Sequence, residues 1–152
     1  MSAALQFECA ELLYDEAELL DDGHFERWLS LLTPDMTYEV RPLGVDCWYS
    51  LETAATLALR VKRLATGSAW AQQPWVPTRR LVGNVRAEAR ESEVQVRSRF
   101  LVYALQDGQP PMLLCGERSD RLVRTDHGLR FAARSVQLLG RVLHQPNLAI
   151  LL

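Results

Sequence analysis

From residue 78 onward the sequence alternates between apolar and polar residues, and this two-residue period constrains the fold more than any other feature. Its clearest stretch is TRRLVGNVRAEARESEVQVRSRFLVYAL, residues 78–105, which carries six arginines. Successive side chains of a β-strand point to opposite faces of a sheet, so this period is typical of strands. The predicted strands are at about 78–90, 93–106, 111–125 and 129–140. The links between them are short, which predicts an antiparallel meander.

The first half of the chain has helical periodicity instead. Its leucines and Cys9 recur at spacings of three and four, and Gly23 ends the first helical segment. The predicted elements are helices at 3–22, 24–32 and 51–67 and a strand at 36–42. Helices followed by a meander predict an α+β fold with the helices packed on one sheet face. We expect one domain that spans residues 1–152.

The charges are unevenly distributed along the chain, although the net charge of −2 is small. Residues 1–52 hold twelve acidic and two basic residues, whereas residues 79–134 hold eleven arginines and seven acidic residues. Sixteen of the seventeen basic residues are arginine, which is enriched at protein interfaces. Codon usage is an alternative source of this bias. The pI of about 5.9 and the lack of a basic cluster argue against a nucleic-acid partner.

Cysteine usage and the N-terminal sequence indicate a cytoplasmic protein. Cys9, Cys47 and Cys115 are odd in number and widely spaced, which argues for a reducing compartment. The opening sequence MSAALQFECAELLYDEAELLDD is acidic and lacks the basic start and apolar core of a signal peptide. No apolar run approaches the roughly 18 residues of a membrane span, so no membrane partner is expected.

The residue patterns of most metal and nucleophile sites are absent from the sequence. His24, His127 and His144 are distant from one another and from every cysteine, and no zinc or iron–sulfur motif occurs. There is no G-x-S-x-G motif and no glycine-rich phosphate loop. Cys9 lies among the leucines of the first helix, where we expect it to be a small core residue.

Acid–base chemistry is harder to exclude. We expect the acidic residues near the end of the first helix to form its solvated face. They are Asp15, Glu18, Asp21 and Asp22. Tyr38 and Glu39 follow each other on the first strand, so one points inward and the other outward. An inward tyrosine suits a catalytic role or an ordinary core position.

The order of these elements resembles the NTF2-like (cystatin-like) cone. Within that superfamily, five segments resemble the small, or β, subunit of Rieske-type aromatic-ring-hydroxylating dioxygenases. They are EAELLDDGHFERWLSLLTPDMTYEV, RVKRLATGSAWAQQPWVPTRRLVGNVRAE, VRSRFLVY, GERSDRLVRTDHGLRFAARSVQLL and NLAILL. Together they cover nearly the whole chain in order and spacing. The loop between Val40 and Leu51 is shorter than such subunits often carry, which leaves the substrate subgroup open.

The resemblance implies that this chain has no catalytic, cofactor-binding or metal-binding residue of its own. The family's Rieske [2Fe–2S] cluster and mononuclear Fe(II) belong to the large, or α, subunit. The implied assembly is an α3β3 hexamer that contains a β trimer. Electrons derived from NAD(P)H reach the α subunit through a reductase, sometimes with a ferredoxin, and the complex dihydroxylates an aromatic ring with O2.

We expect one sheet face to form the contacts between subunits, because alternation places arginine and tyrosine on it. The predicted interface residues are Arg97, Arg99, Tyr103, Arg118, Arg130 and Arg134. The alternative is a solvated face with cross-strand arginine–glutamate pairs.

Two other functions fit the same fold class. The first is a stand-alone NTF2-like isomerase or dehydratase with an acid–base pocket. In ketosteroid-isomerase-like sequences a carboxylate tends to precede the proline after the first strand; here Arg41 precedes Pro42, and arginine is no base at neutral pH. The second is a ligand-binding or transport adaptor. The candidate lining residues of its pocket are the four tryptophans, Trp28, Trp48, Trp70 and Trp75. Trp28 has helical spacing, so we expect it to lie in the core instead.

Overall fold

The computed structural model describes residues 2–66, 76–140 and 150–152. The described elements are α1 (Ala3–Asp21), α2 (Phe25–Leu29), β1 (Leu32–Pro42), β2 (Ser50–Thr53), α3 (Ala54–Thr66), β3 (Thr78–Arg90), β4 (Glu93–Ala104), β5 (Met112–Thr125) and β6 (Gly128–Leu138). The four strands expected after residue 78 are confirmed, with ends that differ by at most two residues. No helix in these described ranges is long and apolar enough to cross a bilayer.

The six strands form a single sheet in the order β2-β1-β6-β5-β4-β3. Strands β3 to β6 are an antiparallel meander, as their short connections predict. Strand β1 joins it beside β6 and runs parallel to it, while β2 pairs antiparallel with β1. The first strand thus meets the last strand of the meander, which short-range sequence patterns do not reveal.

The third helix begins later than its periodicity predicts. Ser50–Thr53 pair with β1 as a short strand, so the helix expected at residue 51 starts at Ala54. Thr53 and Thr56 bond reciprocally, each backbone N–H donating to the other residue's hydroxyl. This arrangement caps the first turn of α3. Pairing with β1 therefore overrides helical propensity over the four residues of β2.

Helix α1 packs beside β3, the edge strand of the sheet. The Gln6 side chain donates to the Val85 carbonyl and accepts from the Ala87 N–H at 3.0 Å. Asp21 accepts from the Arg80 N–H at 2.8 Å. Side chains of the helix therefore satisfy backbone groups that an edge strand would otherwise leave unpaired.

The core lies between the helices and the inner face of the sheet. On β4 the alternating residues Val94, Val96, Phe100 and Val102 are buried, as the period of two predicts. Cys9 and Trp28 are fully buried, which confirms their expected core positions. The segment Ile150–Leu152 is also buried in this core. Inward residues at every strand of the meander complete one α+β packing layer, as predicted.

Candidate functional site

Four charged side chains form an ion cluster in the interior, between α1 and the sheet. They are Glu16, Arg118, Asp120 and Arg134, each at most 3% exposed. Arg134 donates from Nη1 to Glu16 Oε1 at 2.7 Å and from Nη2 to Glu16 Oε2 at 2.8 Å. Its Nε donates to Asp120 Oδ1 at 2.6 Å. Two arginines thus neutralise two carboxylates inside the fold.

A β-bulge places Arg134 in this cluster. Leu122 pairs with Phe131, but the adjacent Arg121 pairs with Ala133, so Ala132 is an extra residue on β6. An extra residue reverses the facing of every side chain that follows it. Strict alternation would set Arg134 on the outer face with Arg130; instead, Arg134 points inward. The interface prediction for Arg134 is therefore wrong.

The interface prediction for Arg118 is also wrong, for a reason of register. Arg118 pairs across the sheet with Ser98, which belongs to the inward set of β4, rather than with Arg97 or Arg99. Arg118 is only 3% exposed and donates to Glu16 Oε2 at 3.4 Å. Its Nε and Nη2 have no hydrogen-bond partner among the described residues.

Glu16 is the cluster residue that the sequence interpretation overlooked. The Trp28 indole N–H donates to its Oε1 at 2.9 Å, so α2 helps to hold it. Glu16 shares the buried stripe of α1 with Cys9, Leu13 and Leu20. The spacings of four, three and four along that stripe were the available signal, because they put an acid among core positions.

Electrostatics favours the charged forms of Glu16 and Arg134. Burial disfavours the charge of Glu16, but the guanidinium groups of Arg134 and Arg118 outweigh it, so the pKa of Glu16 lies below its ordinary value of 4.5. Burial likewise opposes the charge of Arg134, but Asp120 and Glu16 outweigh it and raise the pKa of Arg134. A carboxylate held in this way is a weak base, so Glu16 is poorly suited to proton abstraction.

A second set of interior contacts ties down the segment Ile150–Leu152. Asp21 is buried and forms an ion pair with Arg80. The expectation that Asp21 lies on the solvated face of the helix is therefore wrong, whereas Asp15, Glu18 and Asp22 are exposed as predicted. Arg80 also donates to the Leu151 carbonyl. The Leu152 N–H donates to Tyr38 Oη at 3.0 Å, and Arg134 donates to the Leu152 carbonyl at 3.1 Å. These contacts place arginine, tyrosine and aspartate side chains against the backbone of β3 and of Ile150–Leu152 in the interior.

Tyr38 and Arg41 settle two further expectations about β1. Tyr38 is fully buried and Glu39 faces outward, so the two point to opposite faces as alternation predicts, and burial raises the pKa of Tyr38. Arg41 lies between the buried residues Val40 and Pro42 and therefore points to the outer face. The position before Pro42 thus faces away from the interior where an isomerase would need its base.

The remaining predicted interface residues lie on the outer face of the sheet. Arg97 and Arg99 are exposed, Tyr103 is 42% exposed and Arg130 is half-buried. Arg99 lies 3.9 Å from Glu117, a distance at which two exposed side chains interact weakly.

One end of the outer face carries an apolar patch. Leu81, Leu101 and Cys115 are register partners across β3, β4 and β5, and Tyr103 pairs with Leu113 in the next row. Leu81 is 69% exposed and Leu113 is 59% exposed. We call these five residues the apolar patch. Contiguous exposed apolar residues on a sheet face are typical of protein interaction sites.

The middle of the outer face, next to the apolar patch, carries arginines around an open cleft of about 440 Å³. The cleft is lined by Asn84, Arg86, Arg97, Arg99, Glu117 and Gln137, among others. We call it the arginine cleft. Arginine and tyrosine beside exposed leucine give this face the composition of an interface.

The residues that could have held a metal do not converge in the described ranges. No group of three or more histidine, cysteine or acidic side chains there could hold a metal ion. His24 and His127 are exposed, Cys9 is buried and Cys47 is exposed. His144, Trp70 and Trp75 lie outside the described residues. Trp48 is 52% exposed and donates to Glu39 at 3.0 Å.

Comparison with known proteins gives matches over nearly the whole chain. The family model described as "Ring hydroxylating beta subunit" matches residues 15–145. The chain is 30% identical over 169 residues to the β subunit of 3-phenylpropionate/cinnamic acid dioxygenase from Photorhabdus laumondii, covering 99% of this chain and 93% of that protein.

Solved structures share the fold. A naphthalene 1,2-dioxygenase chain, in a structure with indole bound in the active site, has a TM-score of 0.91 at 22% identity and covers 100% of this chain and 88% of its own. The benzoate 1,2-dioxygenase β subunit from Burkholderia mallei has a TM-score of 0.76 at 21% identity, over 91% of each chain. A candidate scytalone dehydratase from Novosphingobium aromaticivorans has a TM-score of 0.73 at 18% identity, over 92% of this chain and 88% of that one. The expected NTF2-like fold is thereby confirmed.

Proposed function

Because this chain belongs to the family of ring-hydroxylating β subunits, we propose that it is the assembly subunit of its dioxygenase and takes no part in the chemical steps. The chain is a β subunit of an aromatic-ring-hydroxylating dioxygenase, and hence a member of an oxygenase complex. Our proposal concerns its role within that complex. An iron-bearing α subunit would carry out the oxidation, and this chain would hold the α subunits in one assembly.

The exposed outer face of the sheet is the observation that carries this proposal. It presents the apolar patch with Arg99 and Arg97 next to it and Arg130 at the far end, on long strands whose inner side chains are buried in the core. A rigid face of this composition favours contact with another protein over contact with water alone. The alternative of a solvated face with cross-strand ion pairs has one well-formed example, Arg121 to Glu93 at 2.6 Å, whereas the Arg99–Glu117 contact is 3.9 Å long and Arg97 has no ion-pair partner among the described residues.

The chemistry of the interior supports the same division of labour. A Rieske cluster requires two cysteines and two histidines in fixed pairs, and the described cysteines and histidines do not converge. We therefore place the [2Fe–2S] cluster and the mononuclear Fe(II) in the α subunit. We also propose an α3β3 complex with a β trimer in the cytoplasm, supplied with electrons by a reductase or ferredoxin that acts on α. The substrate would be an aromatic compound, as the names of the relatives indicate.

A stand-alone isomerase or dehydratase is the competing function. Such an enzyme needs an ionisable group that can gain and lose a proton near neutral pH. In the described interior, Glu16 is tied to Arg134 and Asp21 to Arg80, and the carbonyls of Leu151 and Leu152 occupy further arginine donors. These contacts favour the assembly role.

Native mass spectrometry of the tagged chain, purified from cells that also express its large subunit, tests the proposal. Iron and sulfide should be assayed on the same sample. We expect three 17.3 kDa chains together with three larger chains that carry all of the iron. An iron-free homo-oligomer that turns over a substrate without any partner would refute the proposal and favour the isomerase.

A further inference from the structure

The arginine cleft contains two like charges that face each other directly. Arg86 on β3 and Arg97 on β4 are register partners, and both are exposed. Like charges at directly opposed positions on neighbouring strands destabilise a sheet. Neither guanidinium has an ion-pair or hydrogen-bond partner within the described part of the chain. The isolated chain therefore bears an uncompensated repulsion at this point.

The backbone beside these arginines is also unusual. The register of β3 against β4 shifts between Gly83 and Arg86, and Asn84 within this shift has a φ of +51°. A non-glycine residue in this left-handed region is uncommon, and such positions cluster at sites of binding. The bulge directs Arg86 outward across from Arg97, so that both line the cleft with Arg99. The local geometry gathers positive charge at a concave site.

The matching charge is present on the opposite side of the same chain. Helix α1 exposes a row of acids on the face away from its buried stripe, and we call this row the acidic ridge. It consists of Glu11, Asp15, Glu18 and Asp22. Their spacings of four, three and four set them along one line. None of them has an ion-pair partner in the described ranges, and α1 has no basic residue in its last turn.

We propose that the acidic ridge of one copy of this chain seats in the arginine cleft of the next copy. The inference rests on the proposed function, because it assigns the surfaces by which the β subunits associate. A three-fold ring has head-to-tail contacts, in which two different surfaces of the chain meet. The cleft and the ridge are two such surfaces, of opposite charge and on opposite sides of the fold. The acidic ridge neutralises the like charges of the arginine cleft on the neighbouring copy, and the cleft neutralises those of the ridge. This mutual complementarity identifies the partner as a second copy of the chain.

Charge reversal of each surface, followed by reversal of both, tests this pairing. The variants are Arg86→Glu with Arg97→Glu, Asp15→Lys with Glu18→Lys, and all four changes together. Arg90→Glu and Asp126→Lys are matched controls, because both residues are exposed and lie outside the two surfaces. Native mass spectrometry and sedimentation at several chain concentrations give the dissociation constant of the β oligomer. Circular dichroism checks the fold, and each variant is also purified with its large subunit.

We expect either double reversal to raise the dissociation constant of the oligomer at least ~tenfold, and the fourfold variant to recover most of the loss. The controls should leave it unchanged. An oligomer that is unaffected by both double reversals overturns the inference. Loss without recovery in the fourfold variant overturns the pairing of these two surfaces. A wild-type chain that forms no β oligomer, alone or with its large subunit, would instead refute the proposed assembly role.

Discussion

Arg134 and Glu16, which are 118 residues apart in the sequence, form a two-bond ion pair in the interior, with N–O distances of 2.7 and 2.8 Å. The pair connects the last strand of the meander to the first helix. The Arg134 guanidinium also lies 4.6 Å from the centroid of the Phe131 ring and donates a hydrogen bond to Asp120. A buried pair whose donors and acceptors are satisfied in this way holds the two layers in one relative position.

Removal of the Arg134 charge should destabilise the chain strongly. Arg134→Met leaves Glu16 and Asp120 buried with much less compensation, so the free energy of unfolding should fall by about 3–5 kcal/mol. Urea titration followed by circular dichroism measures it. Arg99→Met is the control, since its side chain is 70% exposed, and should change stability by less than about 0.5 kcal/mol. A loss for Arg134→Met as small as that of the control would show that the cluster is not needed for folding.

Glu16 should make stability depend on pH in the acidic range. Its pKa in the folded chain is below the ordinary value of 4.5, so the unfolded chain binds the proton more readily. The contribution of Glu16 is complete above the unfolded pKa and is lost as the pH falls through the lower folded value. Glu16→Gln should be less stable than wild type at pH 7 and should lose less further stability between about pH 5 and pH 3. Urea titrations at several pH values in this range measure how the free energy of unfolding changes with pH in the wild type and in Glu16→Gln. Asp15→Asn, on the exposed ridge, is the control and should show the same change with pH as the wild type.

Gly116 should be intolerant of a side chain. A Cβ atom there would collide with the backbone carbonyl of Gln137 on the neighbouring strand, and backbone cannot move aside as a flexible side chain does. Gly116→Ala should therefore cost about 2–3 kcal/mol, as overpacking does elsewhere. Gly83→Ala is the matched control, because a Cβ atom at Gly83 meets nothing within 4 Å. Equal melting temperatures for the two variants would contradict this account.

The apolar patch should contribute to assembly and little to the fold. Leu81→Asp with Leu113→Asp places two charges on residues that are 69% and 59% exposed, so the chain should fold normally. If a partner covers the patch, these charges lose their water on association, and the complex should weaken at least ~tenfold. Size-exclusion chromatography of the purified complex measures this. Leu59→Asp, on helix α3 and 56% exposed, is the control. Co-elution of the double variant at wild-type stability would remove the patch from the interface.

The sequence predicted the meander well because alternation is a local signal. Each strand of the meander repeats it over 11 to 14 residues, and the links between strands are short. The inward set of β4 and the buried positions of Cys9 and Trp28 follow from periodicity alone. The parallel pairing of β1 with β6 does not, because it joins segments about 95 residues apart with no local mark.

The predictions for Arg118 and Arg134 are wrong for physical reasons that strict alternation of side chains along a strand does not include. The bulge at Ala132 changes the facing of β6, and the register of β5 sets Arg118 beside Ser98. Once inside, an arginine is retained only if carboxylates compensate it, and these come from α1 and from Asp120. Glu16 on the apolar stripe of α1 was a sign of such a partner. An acid at a core position and an arginine on a nearby strand are best interpreted together.

The side-chain bonds from Gln6 and Asp21 to the backbone of β3 limit the ways in which copies of this chain can associate. On the long edge strand β3, side chains of α1 bond three backbone groups, and the opposite edge, β2, offers only four residues. Strand-to-strand addition, the route to open-ended fibrils, is therefore disfavoured at both edges. Association through faces remains, and contacts of that kind can close upon themselves. The chain is thus biased towards particles of finite size.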